Sequence, residues 1–225
     1  MTTSHQVSLW TTKAKTGFAG LMLAWLAGAY IVGSGHWLTN DAQSVIAPIA
    51  LSAAIPVALF FAAYGLSHRF RAFVLAQDIR TLTRLHLWRF VGFTFLTLYA
   101  LDVLPGLFAW PAGLGDVAIG VAAFFVLARM DRDPDYVTSP GLVRFHLLGL
   151  LDFVVAVATA GLAAGGLPDL IANGATSAPM DVWPLNIFPS FWVPAFIIVH
   201  ATVLLKVRHL RQAAAGDVQA VRRLA

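Results

Sequence analysis

Long apolar runs, separated by short charged connections, dominate the hydropathy pattern of the chain. Each run is close to the roughly 20 residues that an α-helix needs to cross a hydrocarbon core about 30 Å thick. The pattern therefore predicts transmembrane α-helices throughout the chain. We expect six spans, at about residues 17–35, 45–66, 88–105, 107–128, 143–164 and 184–205.

Composition supports a membrane protein and leaves no room for a second domain. Hydrophobic residues make up 59% of the chain, charged residues 12%, and the mean hydropathy is +0.76, well outside the range of soluble globular domains. The six spans use most of the 225 residues, so we expect one transmembrane domain over residues 1–225. Its predicted fold is an all-α integral membrane six-helix bundle. The chain has no GxSxG or HExxH motif, which favours a role other than catalysis.

The positions of the basic residues predict how the chain is threaded. With these six spans, thirteen of the fifteen Lys and Arg residues fall in the two tails or in the second and fourth connections, and the other two, Arg89 and Arg144, lie at span entrances on the same side. Because Lys and Arg are retained on the cytoplasmic side, we expect both termini to be cytoplasmic. The retention of basic residues in the cytoplasmic segments is enough to explain the net charge of +4. We expect membrane lipids as the anionic neighbours, and no nucleic acid.

Two aspartates lie deep within predicted spans. Asp116 and Asp152 are each about nine residues from a span end, which corresponds to roughly 14 Å at 1.5 Å per residue. On a helical projection Asp116 shares its face with Gly113 and Gly120, and Asp152 shares its face with Gly149. Small residues mark close approach between membrane helices. We therefore expect both carboxyl groups to meet in one buried seam.

No basic side chain is expected at the depth of this aspartate pair. The sequence places Arg89 at the cytoplasmic entrance of the third predicted span. A carboxylate at the bilayer centre costs about 2.5 to 3.5 kcal/mol, so it usually faces a cavity or a partner. The pair is therefore expected to be protonated, to contact water, or to share a proton, a metal ion or an alkali cation.

Four further polar residues are candidates for an access route. Asp102 lies nearer the outer surface, where it either lines that route or simply ends its helix. Asn186, Ser190 and His200 share one broad face of the sixth span. Pro194 has no amide hydrogen, so the Ser190 carbonyl loses its usual helical donor. We expect a kinked, polar-faced helix that lines a cavity.

The histidines permit a second interpretation. His86, His146 and His200 all fall towards the cytoplasmic ends of their helices, and two facing imidazoles can hold b-type haem. Against this, His86 is expected at the interface, and His146 projects away from the Asp152 face. The leading expectation is no cofactor, with haem b on two of these histidines as the alternative. The absence of cysteine excludes thiolate zinc and covalently attached haem.

Two stretches, Leu104–Asp116 and Asn186–His200, carry a resemblance. They resemble uncharacterised bacterial polytopic membrane proteins. The resemblance implies an all-helical membrane fold and no particular activity. Together with the threading, it leads us to expect an integral protein of the bacterial inner (cytoplasmic) membrane.

Three functions follow from these patterns. The leading hypothesis is a small proton- or cation-coupled transporter or permease-like protein that carries a proton, a cation or a small molecule. In it Asp116 and Asp152 bind the ion, and the remaining candidates, Asp102, Asn186, Ser190 and His200, line the access route. The second is a haem-binding membrane electron-transfer protein. The third is a non-catalytic subunit or assembly factor that binds another membrane protein or a second copy of itself.

Overall fold

The computed structural model describes residues 12–40, 47–164 and 175–224. Within these ranges the chain is all-α and contains no strand. The first two residues of the second predicted span, 45 and 46, lie outside them. The α-helices are α1 (Thr12–Ser34), α2 (Pro48–Leu66), α3 (His68–Ala76), α4 (Ile79–Leu85), α5 (Phe93–Ala100), α6 (Gly106–Arg132), α7 (Pro140–Ala163) and α8 (Val193–Leu224).

Five stretches of these helices are long and apolar enough to cross a membrane. They are Thr16–Ser34, Pro48–Leu66, Gly106–Arg132, Pro140–Ala163 and Phe188–Gly216. Each corresponds to one of the predicted spans. The chain is thus an integral membrane protein by the length and composition of its helices.

The region of the third predicted span, residues 88–105, has a different construction. A 3-10 segment, His86–Gly92, joins α4 to α5, so the backbone is helical from residue 79 to residue 100. Seven residues are long for a 3-10 stretch, because its hydrogen bonds have poor geometry, and such stretches within helices often mark a functional hinge or a sequence under strain. After Ala100 the chain turns, and Asp102 adopts the left-handed conformation with φ of 58°. Asp102 therefore lies beyond the helix end.

Small residues let the 3-10 segment lie directly against α6. Gly113 is buried, and a side chain there would be 2.8 Å from Leu96 and 2.9 Å from the Gly92 carbonyl oxygen. Ala112 and Ala123, on the same side of α6, are 3% and 0% exposed. The Asp116 face of α6 does pack closely, but against the 3-10 segment rather than against α7, the neighbour that the sequence predicted.

The last span begins irregularly, as its prolines predict. Residues 188–192 form a π-helical turn directly before α8. Pro194 has no amide hydrogen to donate to the Ser190 carbonyl. That carbonyl accepts a hydrogen bond from the indole Nε1 of Trp25 at 2.9 Å instead. A side chain of α1 thus replaces the missing helical donor and fixes α1 to the start of the last span.

Candidate functional site

Arg89 lies at the centre of the bundle and neutralises the predicted aspartate pair. Its side chain, in the 3-10 segment, is completely buried. Nε donates to Oδ1 of Asp116 at 2.7 Å, and Nη2 donates to Oδ2 of Asp152. The guanidinium also lies over the ring of Phe153, 4.1 Å from its centroid. The prediction that no basic side chain reaches this depth is wrong, and with it the interpretation of the pair as a free cation site.

The error has a physical origin in where the helix starts. The apolar run in the sequence begins near residue 88, and this places Arg89 at the entrance of the third predicted span. The helical rod, however, begins at Ile79 and contains a 3-10 segment that rises about 2.0 Å per residue. This geometry carries residue 89 roughly 17 Å along the rod. Arg89 therefore reaches the depth of Asp116 and Asp152.

Glycines make room for the charged groups. A methyl group on Gly92 would overlap the Asp116 side chain, and one on Gly115 would overlap the carboxylate of Asp152. Because the carboxylates occupy the space that side chains would fill, neighbouring helices come close enough for one guanidinium to reach both.

Three histidines form a second cluster beside Arg89. His86 from the 3-10 segment, His146 from α7 and His200 from α8 are each 0% exposed. The His86 ring stacks on the His200 ring with centroids 4.0 Å apart, and Nδ1 of His146 lies 2.8 Å from Nδ1 of His200. One ligand nitrogen from each ring lies within 4.8 Å of the others. The expected interfacial position of His86 and the expected divergence of His146 are both wrong.

Much of this histidine cluster lacks hydrogen-bond partners. Among the described residues, none bonds to either ring nitrogen of His86 or to Nε2 of His146. A buried polar group without a partner costs about 1 to 3 kcal/mol. A neutral imidazole offers one lone pair, which makes it the commonest metal ligand in proteins. The geometry is therefore typical of a site that a ligand completes.

The two clusters form one continuous unit. Nη1 of Arg89 lies 3.3 Å from Nε2 of His200 and 3.4 Å from the carbonyl oxygen of Gly149. A methyl group on Gly149 would overlap the His200 ring, so this glycine admits the imidazole. We call the six side chains the polar core. Its members are His86, Arg89, Asp116, His146, Asp152 and His200.

The packing of the three rings does not fit haem. Two axial histidines must lie on opposite faces of a porphyrin. Here His86 and His200 stack face on face, and His146 contacts the edge of His200 directly. A porphyrin would have to separate rings that are in contact, whereas a single ion needs far less space.

The remaining predicted site residues lie elsewhere. Asn186 is 0% exposed and donates from Nδ2 to the Ala29 carbonyl at 2.7 Å, which attaches α1. The Ser190 hydroxyl lies 3.1 Å from that of Ser52 on α2. Asp102 is exposed in the turn after α5. Asp116, Asp152 and His200 thus come together, while Asn186, Ser190 and Asp102 do not join them. Reasoning from sequence missed Arg89.

Comparison with known proteins yields a family and no activity. A family model described as "Domain of unknown function (DUF8737)" matches residues 46–208. The matched region contains the whole polar core and excludes α1. No curated protein and no solved structure matches the chain. Since the match covers well over half of the sequence, the chain belongs to the family described as a domain of unknown function, DUF8737.

Proposed function

We propose that this protein is a cation-handling membrane protein that binds one metal ion through His86, His146 and His200. One observation carries the proposal: three fully buried imidazoles place ligand atoms within 4.8 Å of one another. Imidazole nitrogen suits zinc, copper, iron and nickel, and three histidines are a known zinc ligand set. In this proposal the cation binds to the three histidines and not to the aspartate pair that the sequence predicted.

A purely hydrogen-bonded cluster explains less. Arg89 can only donate, so its contact with His200 Nε2 places the His200 proton on Nδ1, which donates to His146. That chain of bonds ends at His146 and leaves both nitrogens of His86 without a described partner. An ion bound to all three rings gives His86 a partner and accounts for its burial.

Binding requires the three rings to rearrange, because the stacked His86 and His200 rings must turn until their lone pairs meet at one ion, and ligand atoms up to 4.8 Å apart must move closer together. Two nitrogens that bind one ion at about 2.0 Å lie about 3.3 Å apart, so the 2.8 Å contact between His146 and His200 opens by a few tenths of an ångström. The His200 proton then moves to Nε2. Arg89 Nη1 gives up that long contact and donates to the Gly149 carbonyl, 3.4 Å away.

The location of the site supports transport across a membrane. We propose that the rod from Ile79 to Ala100 is a sixth crossing, which puts both termini on the cytoplasmic side, in agreement with the basic residues. In the bacterial inner membrane the polar core would lie near mid-depth. Binding at the bilayer midplane is typical of secondary transporters.

Metal analysis of the purified protein tests the proposal. We expect one equivalent of bound metal after loading and desalting, and its loss in each of the variants His86→Ala, His146→Ala and His200→Ala. The matched control is His68→Ala, because His68 is exposed and starts α3 away from the polar core. Equal metal content in the wild type and all three core variants would refute the site.

Flux in proteoliposomes tests the transport role separately. Vesicles that contain the protein should take up the bound metal faster than empty vesicles, and His200→Ala should abolish the difference. Stoichiometric binding without uptake would assign the protein a binding or sensing role instead.

A further inference from the structure

We infer that the ion held by the three histidines is a monovalent soft cation, copper(I), rather than a divalent metal. The inference rests on the proposed function and names the class of its ligand. It comes from the fixed charge beside the histidines. It also comes from the kind of donor atoms that they offer.

The polar core carries a net charge of −1. Arg89 contributes one positive charge, and we assign one negative charge to each of Asp116 and Asp152, because each carboxylate forms an ion pair with the guanidinium. Their side chains are 1%, 14% and 10% exposed, respectively, so water screens them little. Neutral histidines add no charge. A monovalent cation therefore makes the site neutral, and a divalent cation leaves it at +1.

Charge balance separates these two outcomes. The cost of holding a net charge in a low-dielectric interior rises with the square of that charge. The empty site and the site with a divalent ion have net charges of equal magnitude, so divalent binding removes none of this cost. A monovalent ion removes all of it. A divalent ion must also give up a stronger hydration shell to enter the bundle.

Donor chemistry excludes alkali ions and is compatible with copper(I). Hard cations prefer carboxylate, carbonyl and water oxygens. Here Arg89 engages both carboxylates, and the ligand atoms that converge are imidazole nitrogens. Imidazole nitrogen suits zinc and copper alike, and three histidines can hold either, so charge balance decides between the two ions. Copper(I) accepts three nitrogens, and silver(I) is its redox-inert analogue.

Competition binding under reducing, anaerobic conditions tests the inference. The intact protein in nanodiscs is titrated with copper(I) against a chromophoric chelator, and separately with zinc(II). We expect one copper(I) per chain, with a dissociation constant at least tenfold below that for zinc(II). Arg89→Gln makes the site −2 and should shift the preference at least tenfold towards zinc(II).

A second variant covers the case in which Arg89→Gln fails to fold. Asp152→Asn makes the site neutral and should weaken copper(I) binding at least tenfold. Asp131→Asn removes a carboxylate from the exposed pair with Arg80 and should change neither constant. It is the matched control for the loss of one negative charge.

Each outcome separates the inference from the proposed function. If neither metal binds, the site itself is refuted. If zinc(II) binds more tightly than copper(I), the three-histidine site stands and the monovalent assignment is overturned. If the folded charge variants prefer copper(I) over zinc(II) by the same ratio of dissociation constants as the wild type, charge balance is not the cause of the preference and the inference fails.

Discussion

The α1–α2 pair and the bundle of α6, α7 and the last span have similar hydropathy and differ greatly in burial. The mean hydropathies of α1 and α2 are 1.5 and 2.0, against 1.8 for both α6 and the last span. Yet only 11% of the α1 span and 6% of the α2 span are buried, compared with 33% for α6, 22% for α7 and 44% for the last span. Hydropathy thus identifies membrane helices without telling which of them enclose a site.

Polarity distinguishes the two regions. The bundle encloses the polar core, where one guanidinium holds two carboxylates. The α1–α2 pair contributes isolated hydrogen bonds instead, from Trp25 to the Ser190 carbonyl and from Asn186 to the Ala29 carbonyl. The family match begins at residue 46 and so includes α2 but not α1. Fixed charge therefore organises one region, while lipid-facing apolar surface dominates the other.

The largest expected effect comes from removing the central charge. Arg89→Met leaves two buried carboxylates without a cation and should destabilise the protein by about 3 to 5 kcal/mol. Thermal unfolding in detergent measures this loss. The triple variant with Asp116→Asn and Asp152→Asn should recover most of it, because the buried charges are then gone. Arg80→Gln is the control, since the Arg80–Asp131 pair is exposed and should contribute about 1 kcal/mol or less.

A methyl group beside Asp152 should have the next largest effect. Gly115→Ala would overlap the Asp152 carboxylate and push it away from Arg89, at a cost of about 1 to 3 kcal/mol. Gly161→Ala on α7 meets nothing within 4 Å and should leave stability unchanged or slightly raised. Equal melting temperatures for the two variants would show that Asp152 does not lie against Gly115.

Loss of the Trp25 hydrogen bond should weaken the attachment of α1 alone. Trp25→Phe removes the donor to the Ser190 carbonyl and should cost about 1 kcal/mol, while metal binding at the polar core stays unchanged. Trp37→Phe is the control, because Trp37 is 67% exposed. A loss of metal affinity in Trp25→Phe would show that the two regions are coupled.

The smallest effect concerns a helix cap outside both regions. Burial raises the pKa of Asp78, but hydrogen bonds from Thr81 and the Arg80 amide, together with the nearby charge of Lys206, outweigh it and hold the pKa below its usual range. A carboxyl group whose pKa falls on folding stabilises the protein above about pH 4, and this contribution is lost as the pH falls through the folded value. Asp78→Asn should abolish this pH dependence, worth about 1 kcal/mol or less.

Stability between pH 3 and pH 6 measures that contribution. Ser67→Ala, which removes the cap of α3, should lower stability equally across the range, since a hydroxyl does not titrate there. Parallel pH profiles for the wild type and Asp78→Asn would contradict the assignment.

Sequence patterns predicted the spanning helices well and the site only in part. Apolar length and small-residue faces were enough for five spans and for the close packing around Asp116. The depth of Arg89 was not readable, because a hydropathy window does not register that a rod begins at Ile79 and lengthens through a 3-10 segment. The meeting of His86, His146 and His200 depends on the rotation of three helices about their axes, which one sequence does not specify.

X-ray absorption of protein loaded with one equivalent of copper(I) tests the central claim most directly. The account predicts a first shell of three imidazole nitrogens at about 2.0 Å, with outer-shell scattering from the rings, and its disappearance in His86→Ala. A first shell of oxygen atoms, or a spectrum that His86→Ala leaves unchanged, would contradict it.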